Sequence, residues 1–296
     1  MTENDLKHLP KDKIKELETI TERIKETGMV SMIILYGSYA RGDWKEHVGG
    51  RSGKRSDYDL LVLTKDERDC EDLNLKLQKM FENFPTVVQT IVETFGYVNM
   101  QLREKQYFFT EIKEQGIILY TDERSELAEA ENLTPTRLRE IAEYDYKEWF
   151  GTAEENYDVA EYTRNKFVEK NNIKAGKKAA FELQQCVENC YTAIEMVYSR
   201  NNPYEHRLSI LRMNAQRYVP ELDKCFPENT DEERRLFFHL DRAYIGGRYL
   251  SEEFYSVTLE QLEYWEKEVK RLLEITEDYC KKRINELKEK ELQAGE

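Results

Sequence analysis

The stretch VSMIILYGSYARG, residues 30–42, and the stretch SDYDLLVLT, residues 56–64, decide how the rest of the chain is read. A mostly apolar run ending in Gly-Ser predicts a buried strand over 30–36 that breaks at a tight turn. Gly37 permits close backbone approach there. Ser38 falls at a helix start, where free N–H groups and a hydroxyl suit a phosphate. The second strand, predicted over 57–64, carries Asp57 and Asp59 two apart, so both carboxylates project from one face and Tyr58 from the other. Carboxylates this close raise each other's proton affinity, and a divalent cation removes the conflict. Mg²⁺ prefers one or two carboxylates plus substrate phosphates. Two ions about 4 Å apart would clamp the attacking and leaving oxygens of a phosphoryl displacement.

Around these strands the first third alternates helix and strand signals. Ile14, Leu17, Thr21 and Ile24 recur at helical spacing between Pro10 and Gly28. Leu73, Leu77, Met80 and Phe81 predict a helix over 69–84, ended by Pro85. TVVQTIVE, residues 86–93, predicts a third strand with Glu93 as its single acid, and GIILY, residues 116–120, a fourth. An acidic segment over 124–132 then reads as a linker into a wholly helical half. Long helices are predicted from Thr134-Pro135 and over 175–198, and shorter ones over 208–218 and 231–250. The last, 259–287, is charge-laced and expected to fray beyond Cys280. The expected domains are residues 1–132, an α/β (α+β) unit with a small mixed sheet, and 133–296, an all-α bundle.

Composition narrows the function classes. The 296 residues suit two domains of ordinary size. With 59 acids against 45 bases, the net charge is −14, which disfavours an extensive nucleic-acid surface. No apolar run approaches the length of a membrane span. The opening residues lack a basic-then-apolar pattern, and five scattered cysteines show no paired spacing, so a reduced, cytoplasmic protein is expected.

The strand–Gly-Ser-x-Ala-Arg-Gly turn followed by Ser-Asp-x-Asp on the next strand resembles the DNA-polymerase-β-like nucleotidyltransferases, above all their minimal members. The resemblance spans about residues 1–122. It implies transfer of a nucleoside monophosphate, with AMP expected, from an NTP to a hydroxyl of a small molecule or a protein, with pyrophosphate released. Gly37 and Ser38 would bind the nucleotide, and Asp57 and Asp59 would be catalytic and coordinate Mg²⁺, with two ions expected. Arg41 matches the family arginine, as a phosphate contact or a structural ion pair. The family's usual third carboxylate falls on Glu93, the acid of the third strand; otherwise none is present, and the domain binds nucleotide without turnover. The stretch between turn and aspartates is longer than usual, with Trp44, His47 and three glycines, and reads either as a lid or as a solvated insertion.

In the helical half, RNNPYEHRL, residues 200–208, together with residues 153–160, 181–188 and 243–249, resembles HEPN domains, which are often fused to or encoded beside such transferases. Catalytic HEPN domains are ribonucleases that use an Arg and a His spaced like Arg200 and His206. That gives the alternative reading, a ribonuclease of a toxin–antitoxin type. The other role for His206 is as a helix-start residue buried against the bundle. The resemblance also implies a homodimer formed through the helical half. Tyr144, Tyr146, Trp149, Phe150 and Tyr157 form an aromatic stripe at helical spacing, read as packing rather than as a base-stacking platform.

Overall fold

A computed structural model describes residues 6–45, 56–122, 124–170, 172–200, 202 and 205–294. The chain divides into two compact units, Met1–Asn132 and Leu133–Glu296. The candidate lid, including His47 and the three glycines, lies outside the described residues. Trp44, at its edge, stacks on Tyr39 with ring centroids 5.2 Å apart.

The first unit runs α1 (Lys11–Lys25), β1 (Val30–Tyr36), α2 (Gly37–Arg41), β2 (Tyr58–Thr64), α3 (Glu67–Phe81), β3 (Val88–Thr94), α4 (Phe95–Arg103), α5 (Tyr107–Gln115) and β4 (Ile117–Thr121). The sheet order is β3-β2-β1-β4. β1 is antiparallel to β2 and β4, and β2 is parallel to β3 across the α3 crossover, so the sheet is mixed. Alternation along the strands splits the core in two. Ile33, Leu35, Tyr58, Leu60 and Val62 pack with α1 and α3, while Met32, Ile34, Leu61 and Leu63 pack with α4 and α5. A strand covered on both faces needs apolar residues at consecutive positions, which explains the unbroken run in β1.

α4 and α5 have no counterpart in the sequence reading. Both are short, and α4 opens on Phe95-Gly96-Tyr97-Val98, residues with little helical preference. They form because Thr94 and Gln106 cap them through the N–H groups of Tyr97 and Phe109, and because Val98, Leu102, Phe109 and Ile112 are buried on the sheet. β2 begins at Tyr58, so Asp57 stands one residue ahead of the ladder.

The second unit is helical: α6 (Pro135–Lys170), α7 (Ile173–Ser199), α8 (Leu208–Ala215), a 3₁₀ turn (Pro220–Lys224), α9 (Asp231–Asp241), α10 (Ala243–Tyr249) and α11 (Leu259–Ala294). The single helix expected over 231–250 is two. A β-carbon at Gly246 would fall 2.3 Å from Tyr255, and one at Gly247 2.8 Å from Phe181. α10 is therefore turned to lie flush on its neighbours. α11 runs past the expected end at 287 to Ala294 and is continuous beyond Cys280, because Cys280 and Leu287 stay buried and Glu291 accepts from Arg139 of α6 at 2.6 Å. Of the aromatic stripe, Phe150 is buried and stacks with Tyr146 at 5.0 Å, and Tyr146 and Tyr157 pack on the core, whereas Tyr144 is exposed. Cys70, Cys186, Cys190, Cys225 and Cys280 are free thiols. No described helix is long and apolar enough to cross a membrane.

Candidate active site

The turn after β1 is shaped by one residue. Gly37 has φ +71°, a conformation costly for any residue with a β-carbon. A β-carbon there would fall 2.3 Å from Asp59 Oδ2. The glycine thus lets the turn lie directly against the second aspartate. Ser38 follows, partly buried, in the first turn of α2, and Gly42 at φ +83° closes that helix.

Asp59 lies opposite Tyr36 in the antiparallel β1–β2 register. Burial, with the charge of Asp57 second, pushes its carboxyl up to about 6, while Arg41 pulls it back down. Burial and the charge of Asp59 together push the Tyr36 phenol up to about 12. The two carboxylates feel each other, as expected for residues two apart on one face. Arg41 is 44% exposed, sits 3.6 Å from Asp43 and 3.9 Å from Glu111 in loose ion pairs, and is near enough to Asp59 to favour its charged form.

On the reverse face, Tyr58 is fully buried and anchors the strand that carries the aspartates. Its hydroxyl donates to Glu16 of α1 at 2.9 Å, and its ring lies 4.3 Å from that of Tyr39. Glu16 also accepts from Thr86 at 2.8 Å. Burial raises the Glu16 carboxyl, but these two hydroxyls and Lys13 outweigh it and hold it below the ordinary value. His8 contacts the Tyr39 carbonyl at 2.8 Å. The Asp pair therefore stands on a fixed platform.

Glu93 does not join the pair. The parallel register sets Gln89 beside Asp59 and Glu93 beside Leu63, so Glu93 is four residues along, about 13 Å away. Burial raises its carboxyl. The residue that β3 does bring to the aspartates is Gln89, whose amide donates to Asp57 Oδ2. Among the described residues no group of three or more His, Cys, Asp and Glu is arranged to hold a metal ion. Two carboxylates on one face, one with raised proton affinity, still fit a divalent cation whose remaining ligands come from a substrate.

In the helical unit, His206 is exposed rather than buried against the bundle: its side chain is 55% accessible and its ring stacks on Tyr244 at 4.4 Å. It is exposed because Leu208, two residues on, takes the core position and Asp241 accepts from the Leu208 N–H at 2.8 Å. His206 Nδ1 bonds Glu188 at 3.0 Å, and Gln184 and Gln185 both donate to the other oxygen of Glu188. Arg200 caps α7 at φ +59° and faces Asp145, whose carboxyl burial raises to about 6 while Arg200 lowers it. Gln184, which also donates to the His206 carbonyl, is about 24 Å from Arg200 along α7. The two residues of the candidate ribonuclease pair are thus held apart within one chain.

A family model described as polymerase beta, nucleotidyltransferase matches residues 18–125, and a model of the HEPN domain matches residues 146–279. The chain carries a nucleotidyltransferase domain followed by an HEPN domain. No curated protein matches the chain. The first match contains the Gly-Ser turn, the Asp pair and Gln89; the second contains Glu188, His206 and Tyr244. Two residues at these sites escaped the sequence reading. Gln89 carries no charge to flag it, and only the parallel register reveals its place. Glu188 is one acid among many on a helix, and only its contact with His206 distinguishes it.

Proposed function

We propose that the protein is a Mg²⁺-dependent nucleotidyltransferase that moves a nucleoside monophosphate, with AMP expected, from an NTP to a hydroxyl of a small molecule or a protein. The observation that carries this is the Gly37 turn lying against Asp59, a close meeting of turn backbone and two carboxylates at one end of the sheet that would suit a metal-bound triphosphate. Asp57 and Asp59 would hold Mg²⁺, and the triphosphate would complete the ligands of two ions. The bound metal supplies charge neutralisation and orients the triphosphate. Gly37 and Ser38 would cradle the phosphates. Arg41, free of any tight ion pair, would face the charge that builds on them. In the transfer the acceptor oxygen bonds the α-phosphorus, the bond to the β-phosphate bridge breaks, and pyrophosphate leaves with the electron pair. The hydroxyl proton passes to a carboxylate of the pair or to water.

Incubation with α-labelled ATP, Mg²⁺ and hydroxyl acceptors tests this. Label transfer with pyrophosphate release, lost in Asp57→Ala and Asp59→Ala, is the expected result. ATP binding without any pyrophosphate would instead leave a nucleotide-binding regulatory protein, a reading favoured by the place of Glu93 away from the pair.

A second reading attaches to the HEPN half. His206 donates from Nδ1 to Glu188, so its Nε2 carries the lone pair of a base in the neutral ring, at an exposed position. A ribonuclease would cleave RNA in EDTA and lose this with His206→Ala; intact RNA ends the reading. The HEPN half is also the proposed homodimer surface, since it exposes Phe238, Ile245, Tyr249 and Phe254.

A further inference from the structure

Gln89 has a place in the site but no role so far. Its partner across the parallel ladder is Asp59, and paired residues of neighbouring strands share a face about 4.8 Å apart. Its side chain passes over that face to donate to Asp57 Oδ2. The acceptor is a carboxylate, so only the NH₂ end of the amide can face it. Val88 and Thr90, on either side, project to the other face, where Val88 packs against the α1–α3 core. Gln89 itself is exposed and fills no core position. Among the described residues the bond to Asp57 is its one side-chain hydrogen bond, and it is a charge-assisted one.

We propose that Gln89 is the positioning residue of the carboxylate pair: its amide holds Asp57 on the side of Asp59 and, being neutral, keeps the charge presented to the cation at two carboxylates. This rests on the nucleotidyltransferase reading above. An alanine at 89 frees Asp57 to rotate away. A glutamate replaces a donor by a third anion, so the cation is held more tightly and must compete with one more proton.

Mn²⁺ is the probe, followed by the loss of its free-ion paramagnetic signal on the full chain without nucleotide, for the wild type, Gln89→Ala, Gln89→Glu and Asp59→Asn. Thermal melts in EDTA check that each variant folds. The expected result is that Gln89→Ala weakens Mn²⁺ binding several-fold, and that Gln89→Glu tightens it about tenfold at pH 8 and steepens its loss between pH 7 and 5. A role confined to holding the strand would shift the melts and leave the Mn²⁺ affinity unmoved. Unchanged affinity in both Gln89 variants, with binding lost in Asp59→Asn, would overturn this role and leave the nucleotidyltransferase reading standing. No Mn²⁺ binding by the wild type, with or without ATP, would overturn both.

Discussion

At the scale of single residues, Gly37 meets two demands with one missing atom, a left-handed backbone and room for the Asp59 carboxylate. Gly37→Ala is expected to destabilise the protein by about 1–3 kcal/mol, read by denaturant unfolding, and to weaken Mg·ATP binding at least about tenfold. Asp59 gives a pH dependence. Its folded carboxyl stands near 6 against an ordinary 3.8, so its contribution to stability is greatest below pH 4 and is lost as pH rises through 6. That difference amounts to at most about 3 kcal/mol, and solvent screening at a half-open site reduces it to about 1 kcal/mol. In EDTA at pH 8, Asp59→Asn is therefore expected to melt about 3 °C above the wild type, the gap all but closed at about pH 3.5. Equal melting at both pH values contradicts it. That the Gly37 turn and the Asp57/Asp59 pair meet at one end of the sheet was legible in the sequence, because their placement depends on spacing within two strands. Glu93 was misplaced because its distance from Asp59 depends on how β2 and β3 are registered, which no local spacing encodes.

At the scale of elements, the Asp pair is only as fixed as the strand beneath it. Glu16 ties α1 to β2 and to the loop before β3 through two buried hydroxyls, those of Tyr58 and Thr86. Glu16→Ala removes the acceptor of the buried Tyr58 hydroxyl and one partner of Thr86, and is expected to cost about 2 kcal/mol in denaturant unfolding. A cost near zero would mean that water replaces the carboxylate. β1, α1 and the two long helices were legible because an uninterrupted apolar run or a sustained helical period identifies them. α4 and α5 were not, since each spans little more than two turns and is fixed by its caps and by the sheet it covers. The length of α11 was likewise decided by a partner far away in sequence, the Arg139–Glu291 pair.

At the scale of the whole molecule, two compact units match two different families, and in so acidic a chain a cation at the proposed Asp site would be the counterweight to incoming phosphates. The exposed aromatic and aliphatic residues of α9 and α10 predict self-association, so light scattering should give about twice the 35.4 kDa chain mass. A single-chain mass at micromolar concentration contradicts that expectation. The account stands or falls on whether magnesium nucleotide sits where the Gly37 turn meets Asp57 and Asp59. The direct measurement is a calorimetric titration of the full chain with a non-hydrolysable ATP analogue and Mg²⁺. Saturable binding that is abolished by Asp57→Asn and Asp59→Asn and untouched by His206→Ala is the predicted result. No heat at millimolar nucleotide, or the same affinity after either aspartate is replaced, would contradict it.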